Sequence, residues 1–271
     1  LIHSLRIVGR LLGILAWTLP CIPIQALLLR LPGRAKERFA RFYWRGIRRI
    51  MGMRITVIGT VSHERPMLFV ANHSSWLDII ALGSVLPGCF VAKGEIEGWP
   101  VLNVIARLGR TVFVSRTRSG VGREQGNMSQ RLQDGDNLIL FPEGTTSDGC
   151  RILRFQSAFL AMAEGNAAPY VQPVTLVYDR INGLPVRKQD RPVLSWYGAM
   201  DLASHFPGIA GLNSIHATLV LDTAIPPNAY PNRKLLSAAL EQRLAERAGA
   251  LRQGRGATAF PALALPAAAA P

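Results

Sequence analysis

At 271 residues with 49% hydrophobic side chains, the chain can bury one sizeable core with a small appended element, and nothing calls for two independent domains. Three scattered cysteines, Cys21, Cys89 and Cys150, exclude a disulfide scaffold and a cysteine-ligated metal, and fit buried, inert thiols in a reducing compartment. The formal charge of +14 asks for an anionic partner, and its placement along the chain decides which one.

Residues 11–29, LLGILAWTLPCIPIQALLL, contain no charged side chain and approach the ~20 apolar residues that cross a bilayer as a helix. Pro20 and Pro23 interrupt backbone hydrogen bonding in the middle, so a broken or re-entrant helical pair fits as well as a straight span. Arg6 and Arg10 ahead of the run resemble the start of a signal peptide, but the two prolines and the lack of a small-residue cleavage site speak against removal. Residues 30–54 then carry nine Arg and Lys side chains against Glu37 alone. Basic residues directly after an apolar segment predict a membrane-surface partner and a cytoplasmic face, hence the inner membrane. Phe42-Tyr43-Trp44 inside the basic run would suit base stacking. The neighbouring apolar segment assigns the trio to the headgroup layer instead, so nucleic acid is not an expected partner.

Beyond this segment, short apolar runs alternate with helical patterns, which predicts an α/β fold, a mixed and mostly parallel sheet flanked by helices. The expected strands are 55–59, 67–70, 89–92, 111–114, 137–141, 171–177, 193–197 and 217–221. Helices are expected at 76–86, 99–108, 120–133, 154–164 and 232–252. In the fourth of these, Phe155, Phe159, Met162 and Ala163 recur at helical spacing and form a core stripe or the wall of an acyl groove. The organisation is then a membrane-associated helical segment over 1–50, an α/β domain over 51–256 and an Ala/Pro-rich, uncharged tail over 257–271.

NHSSWLD, residues 72–78, places His73 five positions ahead of Asp78. Five steps of about 100° set two helical side chains some 140° apart, so the pair meets only if His73 lies before the helix. Asn72, Ser74 and Ser75 supply the turn, and Ser75-Trp76-Leu77-Asp78 fits the [ST]-x-x-[DE] capping pattern. Asp78 therefore serves as a cap returning to the Ser75 N–H, or as the partner that fixes one imidazole nitrogen while the other takes a proton from a hydroxyl. Residues 142–149, PEGTTSDG, follow the strand at 137–141 and read either as a plain surface loop or as a turn whose free N–H groups bind oxygen. No glycine-rich nucleotide loop, G-x-S-x-G elbow or cluster of metal ligands is present, so neither a cofactor nor a metal is expected.

In order, NHSSWLD, GRTVFVSR (109–116), FPEGTTS (141–147) and VQPVTL (171–176) resemble the motifs of the lysophospholipid acyltransferase family, over roughly residues 55–180. The resemblance implies that His73 is the general base and Asp78 its partner. It implies that Arg116 contacts the acceptor headgroup, that Glu143, Gly144 and Thr145 shape the acceptor site, that Pro173 lies near the acyl donor, and that Lys93 of AKGE is the family's lysine between the first two motifs. The partners implied are acyl-CoA or acyl carrier protein as donor and a lysolipid as acceptor. Lysophosphatidate enzymes commonly read FPEGTR, and Thr146 here replaces that arginine, removing a bidentate phosphate contact worth roughly 1.5 to 3 kcal/mol. FPEGTTSDG is similar to the lyso-ornithine lipid branch, while Arg110, Arg116 and Arg118 keep a phosphate acceptor open. Two rival classes remain at this point: a hydrolase using the same pair on water, and a non-catalytic membrane-binding protein.

Overall fold

The computed structural model describes residues 2–94, 100–114 and 121–255. Its strands are β1 (Met53–Ile58), β2 (Met67–Ala71), β3 (Cys89–Lys93), β4 (Val112–Val114), β5 (Leu138–Leu140), β6 (Tyr170–Ile181), β7 (Leu184–Pro185) and β8 (Ile215–Leu221). They form one sheet in the order β1-β8-β6-β2-β5-β3-β4, with β7 paired to the end of β6. From β6 to β4 all neighbours run parallel, β8 is antiparallel to β6, and β1 is parallel to β8. A strand covered on both faces needs an unbroken apolar run, and β2 supplies one: Met67 to Ala71 are all fully buried.

The helices are α1 (Ile2–Arg30), α2 (Ala35–Ile50), α3 (Leu77–Val85), α4 (Pro100–Leu108), α5 (Val121–Gln133), α6 (Arg191–Leu194), α7 (Leu202–Ala210) and α8 (Arg233–Arg252). Met67, Phe69 and Ala71 of β2 pack with Ile47 of α2 and Leu77 and Leu82 of α3. Leu68 and Val70 pack on the other side with Met128 and Leu132 of α5 and Leu240 and Leu244 of α8. Each such side chain contributes roughly 1.5–3 kcal/mol of transfer free energy, so the two layers lock the central strands in register. Asn232 caps α8 through its side-chain oxygen, which accepts from the N–H groups of Lys234 and Leu235.

α1 runs without interruption through Pro20 and Pro23 and is long and apolar enough to cross a membrane by length and composition. Yet it is fastened along its length. Arg10 donates to the carbonyls of Ala210 (3.1 Å), Leu212 (2.7 Å) and Asn213 (3.1 Å). Trp17 donates to the Tyr43 carbonyl, and the Gln25 amide to those of Lys36 and Leu108. From residue 10 to residue 25 an α-helix rises about 22 Å, and over that stretch α1 lies against α2 and the sheet domain. Its outer side exposes Leu5, Val8, Leu12, Leu15 and Leu19 at helical spacing. Beside them α2 exposes Arg38, Phe42, Arg45 and Arg49 on one stripe.

Two expected elements differ. The strand expected at 193–197 is the short helix α6 followed by extended chain, because Pro192 near its start favours helix initiation and Ser195 folds back to the Arg191 carbonyl. The helix expected at 154–164 is a 3-10 helix over Ser157–Ala163. There the Phe155 and Gln156 N–H groups are taken by Glu241 and by the Pro142 carbonyl, which leaves only a short segment to coil. Phe155, Met162 and Ala163 of the stripe are nonetheless buried. The tail over 257–271 lies outside the described residues.

Candidate active site

Asn72 ends β2 by replacing strand pairing with side-chain pairing. Its amide donates to the Leu176 carbonyl (2.9 Å) and accepts from the Leu176 N–H (2.8 Å). The following turn lies at the carboxyl ends of β2 and β5, beside the middle of the longer β6, where open α/β sheets present their crevice. Asp78, in the first turn of α3, is 1% exposed. Its Oδ2 accepts from the N–H groups of Ser74 (2.7 Å) and Ser75 (3.0 Å) and from His73 Nδ1 (2.8 Å). Capping and the histidine contact therefore coexist on one oxygen. A carboxylate only accepts, so Nδ1 carries a proton, and in the neutral imidazole Nε2 keeps its lone pair. The imidazole stacks on Phe141 at 4.0 Å, and its side chain remains 18% exposed, enough to be reached from outside.

The second turn is tied to the first through its backbone. Glu143 is buried, and its two carboxylate oxygens accept from the N–H groups of His73 (2.7 Å) and Leu153 (2.7 Å). Burial pushes its carboxyl up to about 7, against the pull of those two donors. The Ser147 N–H donates to the His73 carbonyl (3.0 Å), and the Trp196 N–H to that of Ser74 (2.9 Å). Gly144 has φ of +66°, and a Cβ there would stand 2.7 Å from Gln156 Nε2 and 3.1 Å from Phe159. Thr145 is exposed and Thr146 half-buried, next to the turn that holds His73.

His73, Asp78 and Glu143 thus meet directly, with Gly144, Thr145 and Thr146 continuing from Glu143. Glu143 turns its carboxylate inward, onto the His73 backbone. Pro173 does not join this cluster: it is buried in β6 opposite Val70, and its carbonyl accepts from the Asp222 N–H. Lys93 ends β3, in register with Val114. Arg116 and Arg118 lie outside the described residues. Cys21 and Cys89 are buried, with burial pushing the Cys89 thiol up to about 11, whereas Cys150 is half-buried and not fully enclosed as expected. Among the described residues, no group of three or more His, Cys, Asp or Glu is arranged to hold a metal.

Sequence reasoning missed Tyr178, whose buried hydroxyl donates to Asp78 Oδ1 at 2.6 Å. The signal was available in part: Val174, Leu176 and Tyr178 alternate along β6 and share the face toward α3. It missed Phe141 too, which opens the FPEG motif and carries the imidazole on its ring.

Residues 54–177 match the family model described as Acyltransferase. A lyso-ornithine lipid O-acyltransferase of Brucella abortus is 37% identical over 251 residues, covering 90% of this chain and 94% of that one. The chain belongs to the acyltransferase family. A 1-acyl-sn-glycerol-3-phosphate acyltransferase of Neisseria gonorrhoeae is also 37% identical, but over 118 residues, 43% of this acyltransferase and 46% of its relative. The crystal structure of the 1-acyl-sn-glycerophosphate (LPA) acyltransferase from Thermotoga maritima superposes with a TM-score of 0.65 at 19% identity, covering 91% of this chain and 98% of that one. The fold of the acyltransferase is therefore shared well beyond recognisable sequence similarity.

Proposed function

We propose that this acyltransferase moves a fatty acyl group from an acyl thioester, acyl-CoA or acyl carrier protein, to the free hydroxyl of a lysolipid, with lyso-ornithine lipid as the preferred acceptor. The observation that carries the chemistry is the 2.8 Å contact between His73 Nδ1 and the buried Asp78 carboxylate. His73 Nε2 takes the hydroxyl proton as the oxygen attacks the thioester carbonyl. Asp78 stabilises the imidazolium that forms, and backbone N–H groups of the turn at 142–147 receive the developing oxyanion. The carbonyl carbon–sulfur bond then breaks, the proton passes from His73 to the thiolate, and the products are a diacyl lipid and a free thiol. No covalent acyl-enzyme is needed, since attack is direct.

Two features support the acceptor. Similarity to lyso-ornithine lipid O-acyltransferases runs along nearly the whole chain, whereas similarity to the Neisseria gonorrhoeae 1-acyl-sn-glycerol-3-phosphate enzyme is confined to 118 residues. Thr146 stands where a phosphate-binding arginine is common. For membrane association, the support is the exposed leucine stripe of α1 beside the arginine stripe of α2, a pair suited to lie in one leaflet with the cations at anionic headgroups. On this reading the acyltransferase works at the cytoplasmic surface of the inner membrane, an orientation supported by the basic residues that follow the apolar segment.

The test is the purified chain with labelled acyl thioester and a panel of lysolipids, lyso-ornithine lipid and lysophosphatidate first. The expected product is diacylated ornithine lipid, reduced roughly 10²- to 10⁴-fold by His73→Ala. Full turnover in that variant would remove the base assignment, and a preference for lysophosphatidate would remove the acceptor assignment.

A further inference from the structure

The two oxygens of Asp78 are unequally served. Oδ2 collects three donors, from His73, Ser74 and Ser75. Oδ1 has one among the described residues, the Tyr178 hydroxyl at 2.6 Å. That distance is in the range of a charge-assisted O–H···O⁻ bond, and both partners are buried, where such bonds are strongest. Tyr178 sits on β6, so its bond to Oδ1 and the three bonds to Oδ2 together hold the Asp78 carboxylate plane from both sides.

We propose that Tyr178 is a positioning residue of the acyltransferase: its hydroxyl fixes the plane of the Asp78 carboxylate and draws off part of its charge, setting how strongly Oδ2 holds His73. The proposal rests on His73 being the base. Its physical content is a balance. A free, fully charged carboxylate would hold the imidazolium too tightly, keeping His73 protonated and unable to accept the acceptor's proton at neutral pH. A carboxylate already shared with a tyrosine hydroxyl still orients the imidazole but stabilises its charge less. Burial and the neighbouring Asp78 push the Tyr178 phenol well above its usual range, so it remains a donor wherever the enzyme works.

The experiment measures kcat and KM against pH for the full chain, for Tyr178→Phe, and for the chain with 3,5-difluorotyrosine placed at position 178. Each is made with and without Asp78→Asn, and His73→Ala is included as control. Tyr178→Phe is expected to lower kcat ~10-fold with KM nearly unchanged, and to move the acidic limb of the kcat/KM profile up by about half a pH unit or more. Difluorotyrosine keeps the shape of the side chain and donates more strongly, so it moves the limb down; it also decides the matter if the phenylalanine variant does not fold. In the Asp78→Asn background the effect of Tyr178→Phe on kcat shrinks to less than about twofold, because the residue acts through that carboxylate. An unmoved limb in both Tyr178 replacements, or an undiminished loss on the asparagine background, overturns the proposal while an inactive His73→Ala leaves the base in place. An active His73→Ala removes both.

Discussion

Within the turn at residues 72–78 Asp78 Oδ2 collects bonds that span at most five positions, whereas Glu143 of the turn at 141–147 accepts from partners seventy and ten positions away. The first turn is a local device: its serines, its aspartate and the start of α3 determine one another. The second is a long-range device, in which a carboxylate is spent on fastening two separate stretches of backbone. The short bonds set the shape of the first turn, and its distant partners, Leu176, Glu143 and Tyr178 among them, fix where it sits; the second turn depends on its distant partners for both.

Asp78→Asn breaks the local turn most sharply. The amide oxygen still accepts from Ser74, Ser75 and His73, so the fold is expected to persist. With the charge gone, turnover should fall roughly 10²- to 10⁴-fold, read as kcat at unchanged circular dichroism. Equal losses of activity and structure would mean that the residue acts as a cap. Gly144→Ala tests the second turn next. Its left-handed backbone and the crowding by Gln156 and Phe159 should cost about 1–3 kcal/mol, seen as a melting temperature lower by several degrees. An unchanged melting temperature would show that the turn can re-form around a methyl group.

Glu143 sharpens the contrast through pH. Its carboxyl is raised from an ordinary 4.5 to about 7 in the folded chain, so between these values the folded protein holds a proton that the unfolded chain has lost. Its contribution to stability is accordingly greatest at the acidic end, declines as pH rises from 4.5 to 7, and is level above. Glu143→Gln should flatten that part of the stability profile, measured by denaturant titration at several pH values; a slope retained in the variant would assign it to another group. The smallest effect is expected from Thr146→Arg. It restores a cationic donor beside the site and should shift the ratio of kcat/KM toward lysophosphatidate by about tenfold without changing the rate-pH profile. No shift in the ratio would relocate headgroup selection to another part of the chain.

The same contrast explains what the sequence disclosed. That His73 lies before the helix was legible from helical spacing, which left Asp78 as a cap or as its partner until the family resemblance implied the pair, and the strands were legible because burial on both faces demands continuous apolar runs such as 67–70. The inward direction of Glu143 was not legible, since nothing within PEGTTSDG says that its carboxylate will find the His73 N–H. Tyr178 was hidden for the same reason: its partner is a hundred positions away. Residues 193–197 misled because their apolar and aromatic content resembles a strand, while Pro192 and the serine fold-back favour a helical turn. The 3-10 helix misled because side-chain periodicity carries no information about which backbone donors are already engaged.

The fastening of α1 has a practical consequence. Arg10 and Gln25 plug into carbonyls of the sheet domain from a helix whose remaining surface is greasy. Such a helix is a strut and not a leash. Clipping it off to obtain a water-soluble catalyst would uncover Trp17's seat on α2 and strand the carbonyls that Arg10 serves, so the shortened chain should precipitate. Production is better served by keeping the strut and supplying detergent to its greasy side.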